Sequence, residues 1–540
     1  MKHAYRAARS GMGLAILPLA FLASAIWLRH LAGPDWIWRY MDPDYFYLFD
    51  GLNVAELTPP HHIYHPGLTV HLLIGLTLKL MHPLLGGAAL AEQVIADPLF
   101  HLSVAATVLL TIDALATYFA GWASWKTTRS IAAVILVQLG PVLSAITLFY
   151  GIHARPETLL IGAVMTMAGL TMMALRDGAL DQHRGRYAIL FGLVVAFGAA
   201  TKITALPLLV VMPVFLLARW RAVLLFWIAA GLAFLLVLSP IFADLGHLAS
   251  WLSGIATNSG SFGGNAGAAA PIGSYLHQIR RMLARPVLNV PLILGLAILI
   301  WGMLRRRKGL PVRMNEMRAL GGVLLGVMLQ AMVVAKQPSG HYMIPAFCIG
   351  GLALALCLRI VADPRWWSEI AHRRLACSSV VVAIALIVAQ GIGIAKLAKE
   401  LRRFQAEAAP PAVETDGKVC AQVFFYTASH PDFALLMGHY QSGYRFADEV
   451  RRHVAPTSYY VRDWLPWDPS EVRNLDGPVP IRDILASHPC TIFRGGHADR
   501  FHTLLRREDL DDLKFDAVCP GAAENAYVIG ARCATSEPAP

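Results

Sequence analysis

The apolar run GMGLAILPLAFLASAIWL (Gly11–Leu28) is followed, after a short break, by WIWRYMDPDYFYLFDGLNVAELTPPHHIYHPGLTVH (Trp36–His71). The first stretch has about the length of a bilayer-spanning helix. The second sets three aspartates (Asp42, Asp44, Asp50), one glutamate (Glu56) and four histidines (His61, His62, His65, His71) among aromatic residues. Ionisable groups packed beside hydrocarbon are costly and mark function. The loop 32–66 therefore reads as the lip of a site that the rest of the chain holds and feeds.

Of the 540 residues, 56% are hydrophobic and only 15% charged. A soluble globular protein is less apolar and more charged. Ten further apolar runs lie between Leu99 and Ile394, so the chain reads as a polytopic membrane protein, mainly α. Lys2, His3, Arg6 and Arg9 precede the first run, which is long for a signal-peptide core and has no clean cleavage site. It reads as a retained span with a cytoplasmic N-terminus. The net charge of +11 is scattered between spans, which fits basic cytoplasmic loops and not a nucleic-acid partner.

Basic loops recur at every second connection: Lys126 with Arg129, Arg176 to Arg186, Arg219 with Arg221, Arg305 to Arg318, and Arg359 to Arg374. All fall inside only if Pro66–Leu85 makes no net crossing. That segment, 66–85, is expected to be interfacial or re-entrant, and eleven helices to cross. Arg280, Arg281 and Arg285 are the exception and land outside, in a long external loop, 239–285. Its glycine- and alanine-rich stretch Asn258–Gly273 reads as a flexible lid.

The transmembrane module is expected over 1–395. APPAVETDG belongs to a linker, 396–417, and a small α/β extramembrane domain fills 418–540. There VCAQVFFYTAS, TSYYVRDW and NAYVIGARC read as strands and PDFALLMGHYQSG as a helix. Cys420, Cys490, Cys519 and Cys533 all lie in this part. They suggest two disulfides of open connectivity, and so an oxidising compartment. Cys348, Cys357 and Cys377 fall in apolar runs and read as small core residues.

Four polar clusters fall on the same expected side: Asp42 with Asp44, HARPE (His153–Glu157), Lys202 in ATKIT, and Lys336, His341 and Tyr342 in AKQPSGHYMIP. Acidic and basic groups together on one face suit transfer of a group from an anionic lipid carrier. The acid takes the proton of an incoming hydroxyl, and the bases hold the phosphate that leaves. Each residue also has a plainer explanation. Asp42 can start a turn before Pro43, Asp44 can cap a helix Tyr45–Ala55, Glu157 can pair with Arg155, and Lys202 can snorkel. Asp50 reads as structural or solvated. His61, His62 and His65 are conceivable metal ligands, but HHxxH in a proline-rich loop lacks helical i, i+4 geometry, and there is no HExxH.

The order of these features resembles the GT-C superfamily of integral-membrane glycosyltransferases, in its protein O-mannosyltransferase and aminoarabinose transferase branch. The likeness rests on DPDYFYLFDGLNVAE, HHIYHPGLTVHLLIGL, ARPETLL, FGLVVAFGAATKITALPLL and SGHYMIPAF, and spans Gly11–Leu358. DPDY stands where several members have an Asp-Glu pair, and Glu157 where an aspartate is common. The resemblance implies an inverting transfer from a polyprenyl-phosphate sugar to a glycan, lipid or protein hydroxyl at the outer face of an inner membrane, with the C-terminal domain periplasmic. It implies Asp44 as general base and Glu157 as a second acid that orients the acceptor or a divalent metal ion. Arg155, Lys202, Lys336, His341 and Tyr342 become donor-phosphate contacts, and Asp42 and His65 acceptor or secondary residues. A glycan polymerase or ligase, using Arg280, Arg281 and Arg285, and a transporter or flippase are the competing classes. A non-catalytic assembly subunit is a third.

Overall fold

The computed structural model describes residues 12–37, 44–64, 67–257, 272–363, 366, 368–461 and 471–534. Among these, nine helices are long and apolar enough to cross a membrane. Large apolar side chains such as Leu19, Leu80, Leu115, Leu236, Ile293 and Val381 remain exposed along them. Helices satisfy their own backbone, so an apolar exterior of this kind is stable against lipid and not against water. The protein is a mainly α, polytopic membrane protein with a small sheet region near its C-terminus. Leu68–Leu85, expected to be interfacial or re-entrant, is a continuous helix of 18 residues. At 1.5 Å per residue it is about 27 Å long, close to a hydrocarbon core.

The chain divides into two compact units, the first gathering residues up to Leu28, Ile63–Val70 and Ala106–Leu397. Its core is one apolar cluster drawn from helices Pro156–Ala174, Ala179–Thr201, Leu206–Leu217, Met314–Val334 and Ile344–Val361. Association of apolar helices in lipid relies on close backbone approach at small residues. Gly322 and Gly326, one turn apart, do this against helix Leu206–Leu217: a Cβ at either position would stand 2.8 Å from the Met212 Cα or 3.0 Å from the Leu208 Cα. Arg359 ties several helix ends together. Its guanidinium donates to the carbonyls of Thr127 (2.9 Å) and Leu175 (3.0 Å) and to Glu316 (2.9 Å). The first two are last-turn carbonyls that lack intrahelical donors.

The second unit gathers Arg29–His62, His71–Ala105 and the chain from Ala398 onward. The segment 396–407, expected as linker, continues helix Glu369–Glu407. Leu397, Leu401, Phe404 and Ala408 recur at helical spacing and are buried, which explains the continuation. The strands are β1 (Val413–Glu414), β2 (Ala421–Phe424), β3 (Ser458–Val461), β4 (Val472–Arg473), β5 (Thr491–Gly495), β6 (Ala517–Pro520), β7 (Asn525–Ile529) and β8 (Arg532–Cys533). Six form a mixed sheet in the order β4-β3-β2-β5-β7-β6, and β1 pairs with β8. β2 runs parallel to β3, through the expected helix, here Pro431–Gln441, and parallel to β5. Cys420 and Cys490 precede the paired residues Ala421 and Thr491 and form a disulfide, with Cα atoms 4.6 Å apart. Cys519 and Cys533 form the second, at 5.2 Å.

Helix Tyr45–Ala55 lies in this unit, with ten of its eleven residues buried. A helix apolar on every side requires cover on every side. Part of that cover is helix Pro431–Gln441: a Cβ at Gly438 would stand 3.0 Å from the Phe49 ring and 3.2 Å from Tyr45. Asn53 donates from Nδ2 to the Ser442 carbonyl at 3.0 Å.

Candidate functional site

In the first unit, three distant segments bring charge together. Pro156 opens helix Pro156–Ala174 at a position that needs no N–H, and Glu157 follows in the first turn, where the helix dipole favours an anion. Lys202 sits at the extended break between helix Ala179–Thr201 and the turn Ile203–Ala205. His341 and Tyr342 lie in the 3-10 turn that leads into helix Ile344–Val361. Lys202 Nζ donates to Glu157 Oε1, and both residues are buried. His341 Nε2 is 3.9 Å from the same oxygen. Lys202 Nζ also stands 4.7 Å from the centre of the Tyr342 ring. Ser339 Oγ and His341 Nδ1 share a hydrogen bond of 2.7 Å, and the Tyr150 ring lies 4.8 Å from His341.

Each charge in this pair compensates the other, which a buried ion requires. Lys202 keeps ammonium hydrogens beyond the one given to Glu157. Arg155, also buried, lies within electrostatic reach of His341. Lys336 stands apart from the pair: its ammonium donates to the carbonyls of Ile255 (2.7 Å) and Ala256 (2.5 Å), capping helix Leu245–Thr257. Glu157, expected to pair with Arg155, pairs with Lys202.

In the second unit Asp44 is fully buried, with Arg29 Nη1 at 3.8 Å. It precedes helix Tyr45–Ala55, but its side chain makes no capping hydrogen bond. Arg29 also binds Asp35 at 2.6 Å. Burial and the nearby carboxylates of Asp35, Asp97 and Asp44 push the Tyr45 hydroxyl well above its ordinary range. Asp50 is buried rather than solvated. It accepts from the backbone N–H of His61 (2.8 Å) and His62 (2.7 Å) and from Asn53 Nδ2 (3.1 Å). Burial nonetheless pushes its carboxyl up to about 7 against those three bonds. Asp42, His65 and most of the glycine-rich stretch Asn258–Gly273 lie outside the described residues.

Two residues were not singled out as site residues in the transferase reading. A Cβ at Gly340 would stand 3.5 Å from Arg285 Nη1, which sets a further cation beside the turn Gly340–Met343. Asp113 is fully buried in helix Pro98–Thr128, and neither carboxylate oxygen has a hydrogen-bond partner among the described residues. A Cβ at Gly162 would meet its Oδ1 at 2.7 Å. The signal for Asp113 was present as a lone acid within LLTIDALAT.

Comparison with family models, with curated proteins and with solved structures returned no match.

Proposed function

We propose that this protein is a membrane glycosyltransferase of the GT-C kind, moving a sugar from a polyprenyl-phosphate donor to a hydroxyl acceptor with inversion. The observation that carries this reading is the buried Glu157–Lys202 pair with His341 and Tyr342 around it. A phosphate leaving group develops negative charge as the sugar departs, and preorganised cations stabilise that charge. Lys202, His341 and Arg155 are the donor-phosphate contacts, Tyr342 backs the ammonium, and Glu157 orients. Arg285 joins the cations. Lys336, held by the Ile255 and Ala256 carbonyls, keeps one ammonium hydrogen for phosphate. Asp44 is the general base, and Asp42 and His65 are acceptor or secondary residues. The site works at the outer face of an inner membrane, eleven helices cross, 66–85 makes no net crossing, and the C-terminal domain is periplasmic.

The test is transfer of labelled sugar from a panel of polyprenyl-phosphate donors by purified protein in lipid. Wild type should transfer, and Asp44→Asn and Glu157→Gln should each lose about a hundred-fold or more in rate. Full activity in Asp44→Asn would remove the base assignment.

Asp113 favours a second reading, a transporter or flippase. An isolated acid within a span is a common element of ion-coupled carriers. Retention of labelled polyprenyl phosphate by the purified protein, insensitive to Asp113→Asn, separates the transferase from a carrier of unrelated solutes.

A further inference from the structure

Asp50, His62 and His71 come together within the second unit, each offering one ligand atom, and these atoms lie within 4.8 Å of one another. They come from successive pieces of chain. Asp50 is on helix Tyr45–Ala55, His62 is in the proline-rich turn, and His71 is on helix Leu68–Leu85. Asp50 and His71 are fully buried, with Asp50 Oδ2 3.8 Å from His71 Nε2. Neither ring nitrogen of His71 has a hydrogen-bond partner among the described residues. A buried imidazole left in that condition is costly, and such groups call for a partner.

We propose that Asp50, His62 and His71 bind one divalent transition-metal ion of the zinc type. Two imidazoles and a carboxylate form a ligand set that suits zinc better than calcium or magnesium, which prefer all-oxygen shells. Tetrahedral zinc at its usual bond lengths wants ligand atoms about 3.3 Å apart. The 3.8 Å between Asp50 and His71 is already near that, and small ring rotations close the rest. The surroundings hold the ligands in place. The His61 and His62 backbone and Asn53 fix the Asp50 carboxylate, and Asn53 is anchored in turn on the Ser442 carbonyl. His71 stacks on Tyr47 at 5.7 Å, and His62 meets Phe46 and Tyr47 edge-on at 5.6 and 5.7 Å. Outer contacts of this type orient a ligand and tune its affinity. The ion clasps the proline-rich turn to the helices on either side of it. This role is structural and independent of the transferase reading.

The experiment uses the full chain, purified in detergent through an affinity tag without histidine, and measures bound metal by elemental mass spectrometry. Wild type should hold about one equivalent. His71→Ala and His62→Ala should lose it. His101→Ala, in the same unit with Nδ1 2.7 Å from the Asp97 carbonyl, should keep it. Asn53→Ala should weaken affinity about ten-fold or more while leaving the ligands in place. Cobalt exchanged into wild type should give the visible absorption of a tetrahedral site. Should the histidine variants not fold, titration decides on wild type stripped by chelator: added zinc should raise its melting temperature, and chelator should reverse the gain. Wild type holding no stoichiometric metal, with no thermal response to zinc, would overturn the proposal.

Discussion

Glu157 and Lys202 are buried together, so neither can lose the other cheaply. Lys202→Met strands a carboxylate, and Glu157→Gln strands an ammonium. Each should lower stability by about 3–5 kcal/mol, while the double variant should recover most of that loss. Thermal unfolding of the four proteins in lipid nanodiscs measures the cycle, and additive losses would mean the pair does not couple. Transfer activity should stay low in all three variants. Asp113 behaves oppositely. Among the described residues its oxygens have no hydrogen bond of normal geometry, with only the Gly162 backbone close by, so Asp113→Asn should leave stability unchanged or raise it. A loss above about 1 kcal/mol would reveal a compensating partner. At this scale Glu157, Lys202, His341 and Tyr342 were legible because polarity interrupts apolar runs there. Arg285 was read toward a polymerase or ligase because it follows Arg280 and Arg281, and linear order carries no hint that it approaches Gly340.

Helix Tyr45–Ala55 was legible to the residue, since aspartate before an aromatic, apolar run marks a start. Its seat was not. Asn53 meets Ser442 across 389 residues, and no local pattern encodes a contact of that range. The same limit hid β5 and β6, which are no shorter than the strands that were legible but take their identity from strands paired beside them. Gly438→Val should therefore disturb packing far from its own sequence neighbours, costing about 1–3 kcal/mol, and Phe49→Ala should cost about 3–5 kcal/mol. Limited proteolysis of the chain after Ala408 reads both. Helix Pro431–Gln441 also carries a pH response. His430 caps it by accepting from Asp432 N–H at 3.2 Å, and burial with Arg494 nearby pulls its pKa down to about 4. Burial, with Arg473, does the same to His439. Both stay neutral in the folded state while the unfolded chain takes up protons below its ordinary value of about 6.5. Stability is thus complete above that value, falls by on the order of 2 kcal/mol for each histidine as pH drops from about 6.5 to about 4, and levels off below. Thermal unfolding at pH 7.5, 6 and 5 should show the decline, and His439→Gln should flatten it.

For the molecule as a whole, the cysteines divide into a bonded set and a free set. Four of the seven lie in two disulfides, and Cys348, Cys357 and Cys377 are free. The Cys420–Cys490 bridge spans 70 residues and the Cys519–Cys533 bridge spans 14. By loop-closure entropy they are worth about 4 and about 3 kcal/mol, so Cys420→Ser should destabilise more than Cys519→Ser. Such bonds persist only where the environment oxidises thiols. Under the proposed topology, with 66–85 making no net crossing, the positive-inside pattern would send the tail outward by an independent route, through the basic loops of the spans. The two arguments meet in one measurement. Protein taken from cells under acid, denatured without reductant and treated with a maleimide should label at the three free thiols, and at all seven after reduction. Seven labelled thiols before reduction would put the chain beyond Ala408 in a reducing space. Either 66–85 would then cross the membrane or the first span would run the other way, and the basic loops would need a different explanation.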